Sequence, residues 1–227
     1  MKPEGAKLWH FDGSLVSTDG TAPESGAVAT LRPGEGRFGG AVAVEEGTTN
    51  LVNDPVNWKA SSDQYQTTTV TDETFLGCVV SETVKLTPST PQSTVGTVTL
   101  QPGETATASI WVKQIDIKAG NAANLVFYSG NFLASVYAQA SVGNWQRLVV
   151  TYTNNTGAAI QPYVYYYPAS AEGAITRQAA PQIEKLPYAT SFVDGTRAAG
   201  GLLYPQLLDK KRGTLSVWIN PHVVVDW

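Results

Sequence analysis

Along most of this 227-residue chain apolar and polar residues alternate with a period of two, which places successive side chains on opposite faces of an extended backbone. In TASIWVKQ (107–114), Ala108, Ile110 and Val112 share an apolar face, while Ser109, Trp111 and Lys113 share a mixed one. Runs of this kind, rich in Val, Thr, Ile, Tyr and Trp, predict strands over 39–46, 95–101, 105–117, 123–130, 132–140, 145–154, 161–167, 174–186 and 213–221. The clusters QPGE, KAGN, SVGN and NNTG between them carry the Gly and Asn residues that turns use to reach positive φ. No ten-residue helical period separates the strands, so the expected fold is all-β, an antiparallel β-sandwich with little or no helix. Only LLYPQLLDKK (202–211) offers a helical turn or two.

The pattern also contains an echo. TASIWVKQ and TLSVWINP (214–221) repeat the same order of Thr, Ser, aliphatic, Trp and aliphatic residues, and EEGTTNLVNDPVNW (45–58) breaks the pattern upstream. These features divide the chain into 1–46, 47–196 and 197–227, the outer two being pieces of one unit into which the middle is inserted at a surface loop. A single sandwich whose terminal segments add edge strands is the alternative.

Apolar residues make up 42% of the chain and charged residues 15%, enough to build a core and too little charge for a disordered acidic tail. The net charge is -4, and the longest cationic run is Lys210, Lys211 and Arg212, so a nucleic-acid partner is not expected. Cys78, the one cysteine, lies among Phe75, Leu76, Val79 and Val80 and reads as a small buried hydrophobe. The N-terminus lacks the pattern of a secretory signal, and no segment approaches the roughly 20 apolar residues of a membrane span, so no membrane insertion is expected.

Catalytic chemistry has little to stand on. The two histidines, His10 and His222, fall in no G-x-S-x-G or H-E-x-x-H setting. The carboxylates Glu45, Glu46, Asp72, Glu73 and Glu82 show no paired alternation and read as solvated edge and loop charges. The aromatic residues say more. In QPYVYYYPAS (161–170), alternation sends Tyr163, Tyr165 and Tyr167 to one face and Val164 and Tyr166 to the other, and it separates Tyr128 from Phe127. Flat rings cover the C–H faces of sugars, and the phenol hydroxyl adds a polar tip at low rotamer entropy. Amide and guanidinium groups would take the sugar hydroxyls, with Gln114, Gln139, Arg147, Arg177 and Gln182 as candidates and Arg177 and Gln182 best placed on the closing strand. Trp111 joins the aromatic set, and Trp58, in a polar stretch, is expected to form a loop wall with Tyr65. The competing reading packs the same tyrosines into the core with their hydroxyls at its rim.

Several short motifs recur in order. LWHFDGSL (8–15), GRFGGAVAV (36–44) and GTLSVWINP (213–221) resemble strands of concanavalin-A-like and laminin-G-like sandwiches. TTNLVNDPVNW (48–58), TASIWVKQ, NWQRLVVTYT (144–153) and APQIEKLPYATSFVDGTRA (180–198) are similar to carbohydrate-binding-module-like jelly rolls, including those of bacteriophage tail and virion proteins. The resemblance implies a jelly roll that binds polysaccharide or cell-wall glycan without catalysis, a virion or extracellular location, and possible homo-oligomers. A structural calcium ion is common in such jelly rolls, and Asn50, Asn53, Asp54 and Glu184 would be its contributors.

Overall fold

In the computed structural model of the protein, residues 22–23, 29–36, 39–88 and 92–201 are described. The expected strand at 213–221, the helical turn at 202–211 and the segment at 8–15 lie outside them. The chain divides into two compact units, Thr48–Arg197 and a second made of Met1–Gly47 with Ala198–Trp227. In the second unit β1 (Thr30–Gly36) and β2 (Gly39–Ala43) pair antiparallel.

The larger unit is an antiparallel β-sandwich, and none of the described residues is helical. Its strands are β3 (Thr48–Thr49), β4 (Gln66–Phe75), β5 (Cys78–Lys85), β6 (Ser93–Thr97), β7 (Thr105–Asp116), β8 (Asn124–Tyr128), β9 (Phe132–Tyr137), β10 (Trp145–Thr153), β11 (Tyr163–Tyr167), β12 (Ile175–Glu184) and β13 (Thr196–Arg197). One sheet has the order β10-β7-β12-β5-β4 and the facing sheet β6-β11-β8-β9, while β3 pairs with β13. Period-two alternation makes the core: Ala106, Ala108, Ile110 and Val112 of β7 meet Leu125 and Phe127 of β8 and Val164 and Tyr166 of β11. Each of the larger apolar side chains buried this way contributes about 1.5–3 kcal/mol.

Towards β5 and β4 the space between the sheets turns polar, and its groups satisfy one another. Gln178 donates to Ser81 Oγ at 3.0 Å and Thr83 Oγ1 at 2.8 Å, and its Oε1 accepts from the Tyr166 hydroxyl at 3.3 Å. Tyr166 is therefore the core tyrosine of YVYYY, and burial pushes its phenol far above the usual range.

Two features escaped the pattern. The β4–β5 hairpin carries threonines where an apolar period would have marked it, and it turns on Leu76 (φ 51°) and Gly77 (φ 77°). Two successive positive-φ residues make a type I′ turn, usually announced by Asn-Gly, so a Leu-Gly pair hides it. In β12 a bulge between Ala179 and Gln182, with Ala180 at φ 51°, changes the phase of alternation. Gln178 points inward before it and Ile183 after it, although they lie five positions apart.

Beyond β12 the chain folds back as a strap over the outer face of the five-stranded sheet. The Val193 amide donates to Gln182 Oε1 at 2.9 Å, and Thr190 Oγ1 donates to Glu184 Oε1 at 2.6 Å. Arg147 reaches the Thr190 carbonyl at 2.6 Å. Asn50 ties the other end: its Nδ2 donates to the Pro181 and Val193 carbonyls at 3.1 and 3.0 Å, and its Oδ1 accepts from Val52 N and Ile183 N, each at 3.1 Å.

Candidate functional site

The outer face of the four-stranded sheet holds the tyrosines in three rows set by strand register. Tyr163 pairs with Tyr128, and Tyr128 with Phe132; Tyr165 pairs with Val126, and Val126 with Ser135; Tyr167 pairs with Asn124, and Asn124 with Tyr137. The rings form one connected surface. Tyr163 and Tyr165 stack at 5.5 Å with planes 5° apart. Tyr165, Tyr128, Phe132 and Tyr167 close a cycle with centroid distances of 5.6, 6.0, 6.2 and 6.5 Å. Val126 sits inside that cycle and is fully buried, so the rings roof it while keeping their own outer surfaces wet. Tyr163 is 46% exposed, Phe132 55% and Tyr137 54%, whereas Tyr165, Tyr167 and Tyr128 are half-buried.

The phenols of Tyr165 and Tyr167 lie above the ordinary value because of desolvation first and neighbouring phenols second. Both remain neutral donors at physiological pH. The Tyr167 hydroxyl donates to Gln92 Oε1 at 2.8 Å, and the Tyr128 hydroxyl to the Gly130 carbonyl at 3.1 Å.

At the Tyr167 end a recess of about 400 Å³ opens, lined by Gln92, Asn121, Asn124, Phe132, Tyr137 and Tyr167 among others. Sequence reading missed Phe132, Tyr137 and Asn124 as site residues. Parity placed each on a face of its own strand, but only the β11-β8-β9 order brings those strands together. The one available signal was Asn124 opening an otherwise apolar strand, NLVFY.

The remaining expected site residues are elsewhere. Trp111 belongs to the outer face of the five-stranded sheet, where it packs 5.2 Å from Phe75, which in turn stacks on Trp145 at 4.3 Å. Arg177 is on that same sheet, held by Glu82 Oε2 and Glu73 Oε2, each at 2.8 Å. Lys113 Nζ lies 3.7 Å from Glu73. The expectation that Arg177 serves the tyrosine face is thus corrected; of the carboxylates read as solvated edge and loop charges, Glu73 does stand on the edge strand β4, but cross-strand pairing puts it and Glu82 beside Arg177 as ion-pair partners. Gln182 is fully buried, its amide donating to Thr190 Oγ1 at 3.3 Å and its carbonyl capping the strap, which leaves nothing for a surface ligand. Gln114 is buried too, and Arg147 spans Ser109 and Thr190. Trp58 forms no loop wall with Tyr65. It packs edge-on to Tyr166 at 6.2 Å and donates Nε1–H to the Thr94 carbonyl at 3.2 Å, a seal on the core.

The residues considered for calcium do not fit it. All the polar atoms of the Asn50 side chain hold backbone groups, both Glu184 oxygens accept from Thr190, and Asp54 accepts from Asn57 at 2.9 Å. No cluster of three or more His, Cys, Asp and Glu side chains occurs among the described residues.

No protein-family model and no curated protein sequence matches the chain. Among solved structures it is similar to the CBM22-2 xylan-binding domain from Paenibacillus barcinonensis, with 14% identity over 61% of this chain and 98% of that one and a TM-score of 0.39. A carbohydrate-binding module from Cellvibrio mixtus lichenase 5A in complex with cellotriose matches at 12% identity, over 63% of this chain and 99% of that one, with a TM-score of 0.39. The tailspike protein 4 enzymatically active domain of bacteriophage CBA120 matches at 16% identity and a TM-score of 0.43 over 61% of this chain, which spans 22% of that structure. The functional reading rests on the geometry of the tyrosine face.

Proposed function

We infer that the larger unit is a non-catalytic carbohydrate-binding module whose ligand lies along Tyr163, Tyr165 and Tyr167, with Tyr128 and Phe132 extending the platform. The observation that carries this reading is a connected set of five aromatic rings on the outside of the sheet, with exposed surface at Tyr163 and Phe132. A soluble fold gains nothing from leaving such rings wet, and an exposed aromatic patch ordinarily marks a recognition surface. Stacking supplies area at low entropic cost, and multiple copies of the module in an assembly raise modest single-site affinity into avidity. The ordered motifs that resemble jelly rolls of phage tail and virion proteins favour a module carried on a virion or outside cells and directed at a bacterial envelope polysaccharide.

The same exposed patch supports a second reading, in which it is a contact between copies in a tail or fibre assembly. A hydrolase reading is weaker, because Glu73 and Glu82 both engage Arg177 on the opposite sheet. Affinity electrophoresis through gels containing envelope polysaccharides, with Tyr165→Ala as control, tests the first reading. Retardation of the wild type alone supports it. A concentration-dependent oligomer in light scattering that Tyr165→Ala dissolves, with no retardation on any polysaccharide, would transfer the face to the second reading.

A further inference from the structure

None of the four strands that build the tyrosine-bearing sheet, STVGT, NLVFY, FLASVY and YVYYY, contains a charged residue. The residues that line the recess at the Tyr167 end are likewise uncharged. In the floor of that recess Asn124 is only 7% exposed, and its carboxamide makes no hydrogen bond to any described residue. Its oxygen and nitrogen are not among the sealed-off atoms that lack a partner, so the amide meets the solvent of the recess, which a ligand group can replace. Its position is also fixed: β8 pairs Asn124 with Tyr167 on one side and Tyr137 on the other, so it stands between two rings of the platform. Gln92 adds a second amide. Its Oε1 takes the Tyr167 proton at 2.8 Å, which turns its own N–H donors and the lone pairs of the Tyr167 oxygen towards further partners.

Resting on the carbohydrate-binding reading, we propose that this recess is the specificity subsite of the platform and that it selects an uncharged sugar unit, one that both gives a hydrogen bond to and takes one from the Asn124 carboxamide. A neutral sugar carries hydroxyl or acetamido groups, each a donor and an acceptor, which match an amide that is itself both. A uronate or phosphorylated sugar brings an acceptor-only anion to a face that holds no cation in any of its strands, and seating it against the rings leaves its desolvation uncompensated. Raised phenol ionisation at Tyr165 and Tyr167 reports the same hostility to negative charge. On the five-stranded sheet Arg177 and Lys113 are engaged with Glu73 and Glu82, Arg147 with Ser109 and the Thr190 carbonyl, and Lys85 is buried.

The test is titration calorimetry of the full chain with hexamers of glucose, mannose, xylose and N-acetylglucosamine, and with uronic-acid hexamers of the same length. At least one neutral hexamer is expected to bind, with a Kd that changes less than about twofold from about 50 to about 500 mM NaCl. Each uronate hexamer should bind at least about tenfold more weakly. Asn124→Ala should lose about tenfold or more, and Asn124→Asp, which keeps the shape and removes the donors, should lose as much while its thermal unfolding shows the fold intact. Uronate binding as tight as neutral binding overturns the proposal, and so does undiminished affinity in both Asn124 variants where Tyr165→Ala abolishes binding; in each case the carbohydrate reading survives. Absence of heat with every hexamer, joined to absence of retardation on any polysaccharide, removes the platform itself and the subsite with it.

Discussion

The two sheets of the larger unit turn opposite kinds of surface outwards. On the five-stranded sheet the aromatic residues Trp111, Phe75 and Trp145 pack on one another, Lys113 lies over the Trp145 ring at 5.9 Å, Arg177 bridges two carboxylates, and the strap from Lys185 to Gly195 takes up Gln182, Glu184 and Arg147. Its polar groups are spent on the protein. On the four-stranded sheet the aromatics pack on one another with their outer surfaces wet, and among the described residues no strap is bonded to them and the Asn124 amide makes no hydrogen bond. Aromatic content therefore does not by itself distinguish the face proposed for binding; the two differ in ring exposure and in the Asn124 amide, which makes no hydrogen bond to a described residue.

That contrast can be broken from either side. The largest effect is expected for Asn50→Ala, which removes four hydrogen bonds that fasten the strap and leaves buried backbone groups unpaired, for a loss of about 2–4 kcal/mol in denaturant unfolding. Trp111→Ala should follow at about 2–3 kcal/mol, since it empties a half-buried aromatic cluster, and polysaccharide retardation should not change. Tyr165→Ala should do the reverse, with about 1 kcal/mol lost from stability and about a tenfold loss of retardation. If Trp111→Ala and Tyr165→Ala weaken retardation equally, the assignment of structure to one sheet and recognition to the other is wrong. Arg177→Ala should cost only about 1 kcal/mol, because the pairs are partly solvated, and that cost should shrink in high salt.

A separate effect is expected on alkaline stability. Tyr165, Tyr166 and Tyr167 ionise at higher pH in the folded chain than the reference phenol at 10.0. Above that value the unfolded chain has released protons that the folded chain retains, so the contribution is complete below it and falls as pH rises through the folded values. Urea midpoints should be flat from about pH 8 to about pH 9.5 and decline towards about pH 11. A midpoint rising over the last interval would contradict the environment described for these rings.

How much of this was legible beforehand follows from which constraints are local. Parity is a property of one strand, so the outward Tyr163, Tyr165 and Tyr167 and the inward Val164 and Tyr166 could be read from YVYYY alone. The β4–β5 hairpin was not legible, because threonines supply β propensity without an apolar period and Leu76-Gly77 makes its turn without the usual residues. Nor was the fate of Arg177 and Gln182: placing them beside the tyrosines assumed that the closing strand neighbours β11, whereas β12 lies in the other sheet.

By itself, then, the sequence determined the strand content and the side of the backbone on which each ring stands, since these depend on chirality and on the period of extended chain. The tertiary structure alone decided which strands became neighbours. Pairing between distant segments is set by the burial of whole faces and by bulges such as that at Ala180, and it is pairing that put Asn124 between Tyr167 and Tyr137 and gave Arg177 to Glu73 and Glu82.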